Sequence, residues 1–195
     1  MRNADATRER ILEAAVAEFS AYGIAGARVD RIAQAARCNK NLIYIYFENK
    51  ETLFATVLKK HLVRVYEDVP FTPDNLPGYA ARVFDFAMAH PDLMRLMAWF
   101  GLEQKADSPA ERRAALDAKV GALKTAQDDG RVGTTFPPGF LLTAIMALAT
   151  AWTAPNPYGP SLDPNAHKHL ATLRRNIAEA VRLLLESRTD ARTRK

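Results

Sequence analysis

Val29-Asp30-Arg31-Ile32-Ala33-Gln34-Ala35-Ala36-Arg37-Cys38-Asn39-Lys40-Asn41-Leu42-Ile43-Tyr44-Ile45-Tyr46-Phe47-Glu48-Asn49-Lys50-Glu51-Thr52-Leu53-Phe54 is the stretch whose reading decides the fold. Val29, Ile32, Ala33 and Ala36 stand at i, i+3, i+4 and i+7, the spacing of one helix face. Arg37-Cys38-Asn39 breaks that pattern, and a second short helix is predicted over 40–47. Asn49 then caps a longer helix, with Glu51 in its favourable first turn. Two short helices joined by a turn of about three or four residues, behind a longer support helix, describe a helix-turn-helix. A recognition helix of about seven residues is roughly 10 Å long and enters the major groove end-on. Ile43 and Phe47 would anchor it inward, while Lys40, Asn41, Tyr44 and Tyr46 would form its outer, polar and aromatic face. An ordinary helical hairpin with a solvated face has the same spacing.

Outward from this stretch the helical period continues. A first helix is predicted over 7–22, with Ile11, Leu12, Ala15, Phe19 and Tyr22 on one face and Gly23 as its stop. The fourth helix reaches about Val69, and Pro70, Pro73 and Pro77 mark a loop. Helices follow over 78–89 and, from His90-Pro91-Asp92, to about Gln104. Ser108-Pro109-Ala110-Glu111 is a capping box with proline at the first helical position, opening a helix to Asp129 that Gly130 stops. Pro137-Pro138 introduces an apolar helix to about Thr153. After Pro155, Pro157 and Pro160, Asp163-Pro164 starts a last helix to about Ser187. Nothing alternates as a strand would. The expectation is an all-α chain of about nine helices.

Composition sets limits. The 195 residues are 48% hydrophobic, enough for a sizeable core. The net charge of +5 suits a polyanionic partner, yet it is spread evenly. Residues 1–68 hold 11 Lys/Arg against 9 Asp/Glu, and the remainder 16 against 13. The end of the chain is basic, with Arg188, Arg192, Arg194 and Lys195 against Asp190. Charge alone does not name DNA. With Cys38 the single cysteine, no intrachain disulfide can form. The N-terminus lacks the apolar core of a signal peptide, and the longest apolar run, 140–152, is short of the roughly 20 residues of a membrane span. A cytoplasmic location is expected.

The chain lacks a Gly-rich phosphate loop, a Gly-x-Ser-x-Gly elbow and a His-Glu-x-x-His pair. His167 and His169 are two apart and face different sides of a helix, and His61 and His90 have no partner at ligand spacing. No catalytic residue, metal or cofactor is expected.

Thr7-Arg8-Glu9-Arg10-Ile11-Leu12-Glu13-Ala14-Ala15, with Phe19 and Gly23, resembles the first helix of the tetracycline-repressor (TetR) family of regulators. Ile32–Ala36 and Asn39–Phe54 resemble its second to fourth helices, so the likeness covers about 7–58. It implies a helix-turn-helix DNA-binding domain over 1–50 and a helical ligand-binding and dimerisation domain over 51–195. It also implies a homodimer on a palindromic operator in double-stranded DNA, usually a repressor released by a small hydrophobic or aromatic inducer.

Position by position, the resemblance implies base contacts from Lys40 and Asn41, at the start of the recognition helix. Lysine can donate to guanine O6/N7 and asparagine can read adenine. Leu42 stands where the family often has Thr and offers only apolar contact, for example to a thymine methyl. Tyr44 falls where a family tyrosine touches backbone or base, Tyr46 where His or Tyr faces phosphate, and Lys50 where a lysine contacts phosphate. Arg37 replaces the usual turn glycine. That implies a strained or differently wound turn, and a guanidinium able to reach phosphate. Ala27-Arg28 replaces the usual hydroxyl residue, with Arg28 a substitute cation. Asp30 is left out of the DNA set, because a carboxylate there repels phosphate. Cys38 reads as a small buried hydrophobe rather than a redox sensor.

For the last two helices, Phe140, Ala144 and Leu148, with Leu170, Leu173, Ile177, Val181 and Leu184, form stripes that suit a four-helix dimer interface. Packing inside one chain would produce the same stripes, and the resemblance favours the dimer. The large residues Tyr79, Phe84, Met88, Met94, Met97, Trp99, Phe100 and Trp152, with His90, are candidates to line a ligand pocket, and Arg95 and Glu103 to anchor a polar group. Plain core is the alternative for each.

Overall fold

Residues 2–103 and 110–186 are described by a computed structural model, and among them the chain forms ten α-helices, two 3-10 turns and no strand. The first helix, α1 (Arg2–Gly26), runs beyond the predicted limits at both ends. Gly23 does not end it but breaks its direction, with φ 66° and ψ −177°, before a last turn to Gly26. A Cβ at Gly23 would stand 2.4 Å from Glu103 Oε1 and 2.9 Å from the Trp99 ring, in a left-handed conformation that L side chains resist. Ile11, Leu12, Ala15 and Phe19 are buried as the period requires. Tyr22 is not: it is 51% exposed, lying at the break with the Arg31 guanidinium 4.3 Å over its ring.

The next helices are α2 (Val29–Ala35), α3 (Lys40–Phe47), α4 (Lys50–Asp68), α5 (Leu76–Ala89), α6 (Pro91–Glu103) and α7 (Ala110–Asp128). Then come α8 (Pro138–Ala149), α9 (Gly159–Leu162) and α10 (Leu170–Leu185). Local chemistry explains the shifts from prediction. Asn75 Oδ1 accepts from Gly78 N at 2.8 Å, so α5 begins before Gly78. The apolar helix stops at Ala149, where the Thr150 hydroxyl donates back to Met146 O at 2.8 Å and that of Thr153 to Thr150 O at 2.7 Å. Asn156 Oδ1 accepts from Tyr158 N and Gly159 N and starts the one-turn α9, the helix not counted from sequence. Asp163 does not cap the last helix. Its carboxylate takes the His169 ring at 2.7 Å, a 3-10 turn (Ala166–Lys168) intervenes, and α10 begins at Leu170. Gly130, at φ 72°, follows the end of α7 as expected. Ser108, Pro109, Gln104, Ser187 and the basic tail Arg188, Asp190, Arg192, Arg194 and Lys195 lie outside the described residues.

Packing divides the chain into two compact units. It groups the chain up to Glu67 with the segment from His90, and Asp68–Ala89 with the segment from Ala110. In the first unit Phe54 is the pivot, edge-on to Phe19 at 5.1 Å and stacked on Phe100 at 6.4 Å. Ile11, Ile32, Ile43 and Phe47 complete that core. In the second unit α5, α8 and α10 enclose Tyr79, Phe84, Leu141, Ile145, Leu173, Ile177 and Val181. Leu173, Ile177 and Val181 are thus no part of an exposed dimer face: they are 6%, 2% and 0% exposed within one chain. These three residues of the α10 stripe point to their own core, while Leu170 is 37% exposed. Among the described residues no helix is long and apolar enough to cross a membrane.

Candidate nucleic-acid interface

The turn between α2 and α3 is a Schellman close. Cys38 N donates to Ala33 O at 3.0 Å and Arg37 N to Gln34 O at 3.1 Å. Such a motif places one residue in the left-handed region, and that residue is Arg37, at φ 51°. The turn is therefore wound as a glycine would wind it, with the strain of a side chain. Arg10 Nε on α1 donates to the Ala36 carbonyl at 3.2 Å and ties the turn down. Cys38 is half-buried, and burial pushes its thiol up while Arg10 opposes the shift. That environment suits packing and disfavours a reactive thiolate.

Asn39, read in sequence only as part of the break, caps α3 by accepting from Asn41 N at 2.9 Å. Ile43 and Phe47 are buried, and the opposite face of α3 is presented outward. Lys40 and Asn41 are exposed at its start, Tyr44 is 43% exposed, and Leu42 and Tyr46 are half-buried. Asn49 caps α4 through Thr52 N at 2.7 Å, as read from sequence. Lys50, the next residue, is half-buried and donates from Nζ to the Ala27 carbonyl at 3.2 Å.

Arg28 is exposed at the N-cap of α2 and its side chain makes no cap hydrogen bond. Glu18 on α1 does that work. Its Oε1 accepts from Arg28 N at 2.8 Å and from Arg31 Nε at 2.8 Å. Burial disfavours its charge, but the Arg31 and Arg28 hydrogen bonds outweigh this and hold the carboxyl below its ordinary value. Glu18 was invisible to the sequence reading, because its partners are ten and thirteen residues away. A second clasp comes from α6. Glu103 accepts from Ile24 N at 2.7 Å and Ala25 N at 3.1 Å, Trp99 Nε1 donates to Ser20 O at 3.2 Å, and Ser20 Oγ donates to Asp92 O at 2.8 Å. Trp99 and Glu103, candidates from the sequence for a ligand site, hold the broken end of α1. The nine candidate pocket residues are likewise divided. His90, Met94, Met97, Trp99 and Phe100 belong to the first unit, and Tyr79, Phe84, Met88 and Trp152 to the second.

The profile of bacterial regulatory proteins of the tetR family matches residues 11–57, and that of the tetracyclin repressor-like C-terminal domain matches 75–182. The chain belongs to the TetR family. The HTH-type transcriptional repressor SCO4008 of Streptomyces coelicolor is 46% identical over 151 residues, 76% of this chain and 79% of its own. The HTH-type transcriptional repressor NicS of Pseudomonas putida is 30% identical, over 73% of this chain and 71% of its own. Among solved structures, the transcriptional regulator SCO4942 of Streptomyces coelicolor superposes with a TM-score of 0.81 at 35% identity, covering 91% of this chain and 97% of that one. This TetR-family chain is a DNA-binding transcriptional regulator of the repressor type.

Proposed function

We propose that the protein represses transcription from the cytoplasm by holding a palindromic operator as a homodimer, and that a small hydrophobic or aromatic ligand releases it. The observation that carries the DNA part is α3 itself, anchored by Ile43 and Phe47 with Lys40, Asn41 and Tyr44 left outward. Lys40, Asn41, Leu42 and Tyr44 face the bases in this reading. Arg28, Arg37, Tyr46 and Lys50 take the phosphates.

The dimer face lies on what remains exposed of the second unit. Phe140 is 52% and Leu183 53% exposed, and an open groove of about 910 Å³ is lined by Phe136, Leu148, Ala180, Leu183 and Leu184 among others. Leu148 and Leu184 are the residues of the predicted stripes that line it, and exposed apolar surface of this kind marks contact sites. For the ligand, the predicted residues that lie in the second unit are Tyr79, Phe84, Met88 and Trp152. Trp152 Nε1 is buried without a hydrogen-bond acceptor and its ring stands edge-on to Phe84 at 6.5 Å. A ligand offering an acceptor there would satisfy it.

Ligand must bind the DNA-competent and released forms with different affinity, so ligand and operator should weaken each other's binding equally. Salt titration of duplex binding tests the base of the reading. Log affinity should fall linearly with log salt, as counterions leave the duplex. A chain that shows no duplex affinity at low salt would be a helical module whose turn only packs.

A further inference from the structure

Asp30, the second residue of α2, and Lys40, the first of α3, bring the starts of the two helices together, with Lys40 Nζ 2.9 Å from Asp30 Oδ1. Both side chains are exposed, 60% and 45%, so the pair contributes little to stability. Each nevertheless shifts the other: the Lys40 hydrogen bond lowers the Asp30 carboxyl, and the Asp30 hydrogen bond raises the Lys40 ammonium. Arg28 stands close enough to act on both charges. An acid that repels phosphate is out of place here unless something else uses it.

A G·C pair offers that use. Across the major groove it presents guanine N7 and O6 as acceptors and, beside them, the cytosine N4 amino group as a donor. An ammonium joined side by side to a carboxylate is the complement of that edge. We propose that Asp30 and Lys40 read one G·C pair together in each half-site, Lys40 Nζ donating to guanine O6/N7 and an Asp30 oxygen accepting from cytosine N4. Asp30 is then a specificity-determining residue that costs affinity on every sequence and repays it only on the correct one. The inference rests on the DNA-reading role proposed for α3.

Parallel selections of duplexes from a random library by the wild-type protein, Asp30→Ala and Lys40→Ala test it. Both variants should lose preference at the same base pair, on the order of tenfold. Asp30→Ala should also bind unrelated duplex more tightly than wild type, because a negative charge near phosphate has gone. Lys40→Ala should bind it more weakly. Asp30→Asn, which keeps the shape, controls for folding, and both Asp30 variants should melt with the wild type. An Asp30→Ala protein with tighter binding and unchanged base preferences would overturn the proposal, leaving Asp30 as bulk charge only. Melting temperatures lowered in both variants would also overturn it, making the pair structural. Failure of the wild type to enrich any duplex would instead remove the reading of α3 beneath it.

Discussion

Arg37 holds a left-handed conformation inside a Schellman close, where glycine is the residue of least strain. Arg37→Gly should raise stability by about 1 kcal/mol, read from urea unfolding. If its guanidinium also meets phosphate, the same change should weaken duplex binding and flatten its salt dependence by about one unit of slope. Stability and affinity would then move in opposite directions. Lys50→Ala should weaken binding to all sequences alike, again with a flatter salt slope, since a phosphate contact carries no sequence information. A changed base preference would contradict that assignment. The residues of α3 were legible in the sequence because capping, period and breakers act within a few positions. Asn49 as a cap and Ile43 with Phe47 as anchors are local facts. Glu18 was not legible: the carboxylate works through contacts that only the folded packing of α1 on α2 creates.

The broken end of α1 shows the same limit at the scale of an element. A glycine after a helical run reads as a stop, yet Gly23 is a bend that Trp99 and Glu103 of α6 close over. Gly23→Ala should therefore cost about 2–4 kcal/mol, from left-handed strain plus overpacking, and thermal unfolding measures it. Glu18→Ala removes the cap of α2 and leaves Arg28 N without its partner, a loss of about 1–3 kcal/mol at neutral pH. The pH dependence has a definite sign. The Glu18 carboxyl sits below its ordinary value of 4.5 in the folded chain, so its stabilisation is present above that value. It is lost as pH falls through the folded value. The difference between wild type and Glu18→Ala in urea unfolding should accordingly shrink on acidification. On α10 the period read from sequence was right, and three residues of its stripe face the core of their own unit. A stripe of Leu173, Ile177 and Val181 fits an internal core as well as a dimer, and periodicity does not distinguish the two.

For the whole molecule, the all-α class and the TetR family were both legible in the sequence. The pairing of α6 with α1 was not, because the two meet through side-chain contacts far apart in the chain. Oligomerisation separates the two sets of α10 residues. Leu183→Glu should shift the proposed dimer toward monomer in sedimentation, and its melting temperature should no longer rise with protein concentration. Ile177→Ala should lower stability by about 2–5 kcal/mol through a core cavity, whatever the oligomeric state. A single short α3 makes few base contacts, so two half-sites are needed for useful affinity. The most direct test of the account is to select bound duplexes from random DNA with the wild-type protein. An inverted repeat, occupied by two chains, is the predicted product. Enrichment of no duplex, or of an asymmetric site bound by one chain, would contradict it.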